Sequence, residues 1–147
     1  MIPANTTRTW LFRAVLVFVS YFLTGLAGLS VPFIETHITL IWAPTGIALA
    51  ALLRWGGSLW LAIWLGAMGV NLWIGSPLLL AAAIACGNTL GPVLAAWLLR
   101  RKGFDQRLHN RRDLQLYLSV GVIGGMTISA SNGVLQLWLA GWRAECR

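Results

Sequence analysis

The chain has 147 residues, of which 58% are hydrophobic and only 10% charged, and its Lys and Arg outnumber Asp and Glu by eleven to four. Soluble domains are about 45–50% apolar and about 25% charged, so this composition does not cover a soluble surface and reads as an integral membrane protein. Five helices of about 20 residues would take up most of the length, leaving no room within it for a soluble catalytic domain of about 100 residues or more.

Residues 14–34 form an uncharged stretch of 21 residues, enough for one helix across about 30 Å of hydrocarbon. Arg8 and Arg13 precede it, and Gly25 and Ala27 make a weak small-x-small pair, as in a secretory leader. The apolar run continues to Ile34, well past the about 7–15 residues of a leader, so this first span is expected to be retained. Residues 38–53 give a second uncharged stretch of 16 residues, about 24 Å as a helix, which Pro44 and Gly46 are expected to make irregular. Residues 55–99 carry no charge over 45 positions, about 67 Å as a helix, which is two crossings. Gly75, Ser76 and Pro77 supply the turn between a third span at 57–74 and a fourth at 78–99. Residues 114–142, another 29 without charge, make the fifth. The expected fold is an all-α integral membrane protein of about five transmembrane helices, treated as a single domain over 1–147.

Orientation follows from the basic residues, which are retained on the cytoplasmic side. With the N-terminus inside, Arg8, Arg13, Arg54, Arg100, Arg101, Lys102, Arg107, Arg111 and Arg112 share the inner face, nine of the eleven, and Arg143 and Arg147 lie outside. A re-entrant second stretch would cut the tally to seven against four, so five spans fit better. The positive balance therefore reports orientation and not a nucleic-acid partner. The basic loop at 100–113 is topogenic, attracts anionic lipid at about 1 kcal/mol per basic residue, and offers a surface to a cytoplasmic protein.

All four acidic residues, Glu35, Asp105, Asp113 and Glu145, fall outside the expected hydrocarbon core, as do His37 and His109. That leaves no acid, base or metal set for intramembrane catalysis, no ionisable relay for proton coupling and no cofactor signature. Cys86 and Cys146 lie at different depths and do not suit a disulfide. Uncharged polar groups remain. Gly121, Gly125, Ser129, Asn132 and Gln136 fall within an arc of about 80° on the fifth span, starting at Gly121 because Leu118 occupies the arc one turn earlier. The fourth span has a comparable stripe of Ala81, Asn88, Gly91, Pro92 and Ala95, with Gly87 and Gly91 in G-x-x-x-G spacing, so the two helices are expected to meet. Such stripes serve helix packing or line a ligand and switch between states.

Asn71 is placed at the outer end of the third span, on the side of Trp60 and Trp64, as an interface residue. Trp42-Ala43-Pro44-Thr45-Gly46 is the first choice for a binding element, because a broken backbone is tolerated in a membrane only when buried in protein or lining water. The alternative is a simple proline kink satisfied by the Thr45 hydroxyl. Trp10, Trp55, Trp60 and Trp97 mark one interface and Trp42, Trp73, Trp138 and Trp142 the other, and Trp42 or Trp64 is the tryptophan expected to touch a ligand. The ligand-binding or switch candidates are thus Trp42, Pro44, Thr45, Gly46, Asn71, Asn88, Ser129 and Asn132.

The string Trp42-Ala43-Pro44-Thr45-Gly46-Ile47-Ala48-Leu49-Ala50 is followed in order by Gly69-Val70-Asn71-Leu72, Gly87-Asn88-Thr89-Leu90, 95–101 and Gly133 to Gly141. Together they resemble the MASE1 family of bacterial membrane-associated sensor domains. The resemblance implies a non-catalytic, multi-pass input module of the bacterial inner membrane that regulates a histidine kinase or diguanylate cyclase type output, fused or in a partner chain. It also implies more spans than fit here, so that about the first half of the domain is expected, as a fragment, a truncated product or a standalone half-module. A homo-oligomer is compatible with it. A small transport or substrate-binding membrane subunit is the alternative, and a lipid- or protein-binding scaffold is a third reading.

Overall fold

A computed structural model describes residues 4–30 and 42–145 of the chain, and every described regular element is helical. Helix α1 is Ala4–Leu29, α2 Ala43–Trp55, α3 Trp60–Trp73, α4 Leu78–Arg101, α5 Arg111–Leu116 and α6 Gly125–Glu145. A 3₁₀ turn, Gly57–Leu59, leads into α3, and a π-helical segment, Tyr117–Gly124, joins α5 to α6. Three stretches are long and apolar enough to cross a membrane, Thr7–Leu29, Leu78–Arg101 and Arg111–Leu139, and Gly57–Trp73 is a shorter apolar helix.

The predicted turn after the third span lies where expected. Gly75 adopts φ +85, a left-handed value that its missing Cβ permits, and Pro77 stands immediately before α4. Gly103, at φ +67, ends α4 in the same way. The first helix starts earlier than the charge-free interval and carries Arg8 and Arg13 within it, because a long side chain can reach past the end of an apolar segment. The Arg13 guanidinium lies 5.8 Å from the centroid of the Trp55 ring.

The expected break in the second stretch is corrected. Helix α2 runs without interruption through Gly46, and Pro44 sits in its first turn. A helix start leaves its first N–H groups unpaired in any case, so a proline there removes no bond and its fixed φ suits the geometry. Residues 38–41 of that stretch, with Glu35 and His37, lie outside the described residues.

Helix α4 is the centre of the bundle, in contact with α2, α3, α6 and the π segment, while α1 covers α2 and α3. Between helices in lipid there is no hydrophobic drive, so close packing and interhelical hydrogen bonds must hold them. On the α1–α3 side, Gly66 and Gly69 of α3 lie against the rings of Tyr21 and Phe22, and a Cβ at Gly66 would stand 3.2 Å from Tyr21. On the other side, the small polar stripes of α4 and α6 meet face to face. The Ser129 hydroxyl donates to the Gly87 carbonyl at 3.2 Å, and the Asn132 amide donates to the Ala83 carbonyl at 3.1 Å. Any side chain at Gly87 would collide with Asn132, and any at Gly91 with the Gly125 backbone and Ser129.

The start of the α6 stripe is also corrected. Leu118 is 48% exposed, whereas Tyr117 and Val120 pack on the core and Gly121 faces Leu49 and Leu99. A π segment takes more residues per turn than an α-helix, which moves Tyr117 onto the face that a 3.6-residue period assigns to Leu118.

Gly91→Ala should lower the stability of the α4–α6 pair in detergent or bicelles much more than Gly133→Ala, since nothing lies within 4 Å of a Cβ at Gly133. Asn132→Leu should cost about 0.6 kcal/mol, the average for an interhelical hydrogen bond in a membrane protein, measured by reversible unfolding.

Candidate functional site

Five helices converge on a cavity of ≈ 550 Å³ at the end of the bundle opposite the basic loop, α1 contributing only Leu29. Trp42 and Thr45 come from the start of α2, Asn71 from the last turn of α3, Asn88 from the middle of α4, and Met126, Ser129, Val134 and Leu137 from α6. Five of the eight residues singled out in the sequence therefore line one cavity. A smaller cavity of ≈ 270 Å³ shares Trp42 and Thr45 and adds Gly46. Pro44 is buried in the first turn of α2, and Asn132 is spent on the α4 backbone.

Each polar wall residue has a distinct state. Thr45 is 5% exposed, and its hydroxyl has no hydrogen-bond partner among the described residues; residues 40 and 41, whose carbonyls a bridged proline kink would use, lie outside them. Asn71 is 8% exposed and donates its amide to the Ala67 carbonyl at 2.8 Å. The expectation of a lipid-interface asparagine fails there, because Asn71 faces the cavity on the inner side of α3, while Leu72, Trp73 and Trp60 stay exposed. Asn88 is half-buried, and its side chain has no partner among the described residues. Pro92, within α4, has no N–H to offer the Asn88 carbonyl.

Of the two tryptophans favoured in the sequence, Trp42 lines the cavity and Trp64 does not. The Trp64 indole instead donates to the Cys86 sulfur at 3.4 Å across the α3–α4 contact. Tyr21, which no pattern in the sequence marked, is fully buried with its hydroxyl beside the Trp42 side chain but without a well-formed hydrogen bond. An aromatic in an apolar helix carries no sign of such a neighbour. Among the described residues, no group of three His, Cys, Asp or Glu side chains is placed to hold a metal ion.

At the opposite end of α2 the chain does something the sequence did not announce. Arg100 donates to the Leu52 and Leu53 carbonyls at 2.6 and 2.9 Å, and Gln106 donates to Leu53 at 2.8 Å. These are last-turn carbonyls, of which Leu52 also accepts from the Gly56 backbone N–H at 3.0 Å, and a cation at a helix C-terminus is favoured by the helix dipole. Arg100 is thus a cap and not a free member of the basic loop. Arg101 stacks on Trp97 at 4.0 Å, Arg112 donates to the Lys102 carbonyl at 3.0 Å, and Lys102, Arg107 and Arg111 are exposed. Asp113 is buried beneath the loop and accepts from the Asp105 backbone N–H at 3.3 Å.

An all-helical bundle with membrane-length apolar helices, an uncharged cavity and no catalytic cluster among its described residues has the form of a membrane-embedded binding module. The MASE1 family matches residues 13–143, and the chain belongs to this family of membrane-associated sensory domains. Neither a curated protein nor a solved structure matches it.

Arg100→Met should destabilise the α2 end by about 1.5–3 kcal/mol, the worth of a hydrogen bond to a charged group, whereas Arg101→Met should have a small effect. Unfolding in detergent measures both. Single cysteines at Asn88 and Val134, in a chain with Cys86→Ser and Cys146→Ser, should react with N-ethylmaleimide faster than one at the fully buried Ala85.

Proposed function

We propose that the chain is a non-catalytic sensory input module, in which occupation of the α2–α3–α4–α6 cavity changes helix packing and so regulates a histidine kinase or diguanylate cyclase type output. The observation that carries this reading is the position of α2. Its first turn contributes Trp42 and Thr45 to the cavity, and its last turn is tied by Arg100 and Gln106 to the base of the basic loop. Thirteen helical residues separate the two ends by about 20 Å. A shift of α2 at the cavity is therefore felt at the loop.

A ligand moves such an equilibrium only by binding one arrangement better than the other. The unpaired Tyr21 hydroxyl supplies a reason for two arrangements, since an unsatisfied buried hydroxyl costs about 1–3 kcal/mol and an arrangement that gives it a partner recovers that cost. The α4–α6 seam, with Ser129 both in the cavity and on the Gly87 carbonyl, couples the same site to the longest helices.

In this reading the module spans the bacterial inner membrane about five times with its N-terminus inside. The exposed Lys102, Arg107 and Arg111 gather anionic lipid beside an output domain or partner. A topology reporter after Phe104 should report the cytoplasm and one after Arg147 the opposite side, and the same side for both overturns the five-span arrangement. Replacing the native copy with Thr45→Val, Asn88→Leu, Asn132→Leu should shift response-regulator phosphorylation or the cyclic di-GMP level in the cell. A variant that inserts normally and leaves both unchanged overturns the site. Solute uptake by vesicles containing only this chain would instead support a transport subunit.

A further inference from the structure

The cavity walls combine three properties. None of the described residues lining the cavity is ionisable, most of the wall is apolar, and two of its polar side chains, Thr45 and Asn88, have no partner among the described residues. Thr45 and Asn88 can each donate and accept a hydrogen bond. Asn71 has committed an amide N–H to Ala67, which leaves its Oδ1 as an acceptor. The volume of ≈ 550 Å³ falls within the about 300–1,000 Å³ of small-molecule sites.

We infer that the cavity binds an uncharged single-chain amphiphile whose head carries both a hydrogen-bond donor and an acceptor, an N-acyl amino alcohol being the simplest form. The head lies among Thr45, Asn71 and Asn88, and the acyl chain runs along Ile84, Val134 and Leu137. A carboxylate, sulfate or phosphate head would meet no counter-charge among the described residues of this wall and would keep its desolvation cost. A plain hydrocarbon would fill the aliphatic part but leave Thr45 and Asn88 unpaired, and a pure acceptor would leave the Asn71 Oδ1 without a donor. This rests on the sensory reading for the consequence of binding, and on the cavity alone for binding itself.

The test is equilibrium binding of radiolabelled N-decanoylethanolamine to the whole chain in phosphatidylcholine nanodiscs. Binding should saturate, should be displaced by the unlabelled amide, and should resist decyl sulfate and decane. Thr45→Val and Asn88→Leu should each weaken it roughly tenfold, the worth of one hydrogen bond to a buried group. Thr45→Ser, which keeps the hydroxyl, should bind close to the parent. This separates loss of the hydrogen bond from loss of packing. Thr127→Val should bind unchanged, because that exposed hydroxyl is satisfied by the Ile123 carbonyl at 2.7 Å. Equal displacement by decyl sulfate or decane, displacement by the disc phospholipid, or tenfold weakening in none of the variants overturns the ligand class. Altered signalling in Thr45→Val without saturable binding of the amide also rejects this ligand and leaves the sensory reading standing. Saturable binding with unaltered signalling rejects the sensory reading and leaves the ligand.

Discussion

The close approach of α6 to the backbone of α4 is the contact on which the rest of the molecule depends. Ser129 and Asn132 reach main-chain carbonyls of α4, which is possible only because Gly87 and Gly91 present no side chain at the crossing. In a bilayer the alternative to a protein partner is hydrocarbon, so a hydroxyl or amide on a lipid-facing helix is drawn to whatever acceptor the neighbouring helix exposes. The same crossing sets one wall of the cavity, because Ser129 belongs to both. Packing and site are here one set of atoms.

Helix α2 is short, and its environment explains its stability. Proline in the first turn removes no bond, and two carbonyls of its last turn, Leu52 and Leu53, accept from Arg100, with Gln106 also on Leu53. A helix anchored by polar contacts at one end, with unpaired polar groups at the other, is suited to transmitting a change between them. The tie is electrostatic and directional, so it holds α2 to the loop without a large apolar interface.

The candidate site was legible in part. Asn88 and Ser129 stood out because polar residues repeat at helical spacing in otherwise apolar runs, and Trp42 and Thr45 because proline and glycine punctuate the second stretch. The pattern gave each helix its own polar face, but a period within one helix does not say which neighbour that face meets. Asn71 was read as an interface residue because its place near a helix end suggested water, whereas it is 8% exposed under neighbouring helices. Tyr21 and Met126 gave no signal at all, since a tyrosine or methionine in an apolar helix is equally at home against lipid, core or ligand.

The sequence by itself determined the membrane class, the helix-forming segments, the turn at Gly75 and the two small faces of α4 and α6. All of these follow from local composition and period, which act over a few residues. Only the tertiary structure decided that Pro44 opens a helix, that Tyr117 replaces Leu118 on the inner face, and that Arg100 caps α2 from 47 and 48 residues away. Those outcomes depend on which helix end or carbonyl lies alongside, and such neighbours exist only once the bundle is assembled.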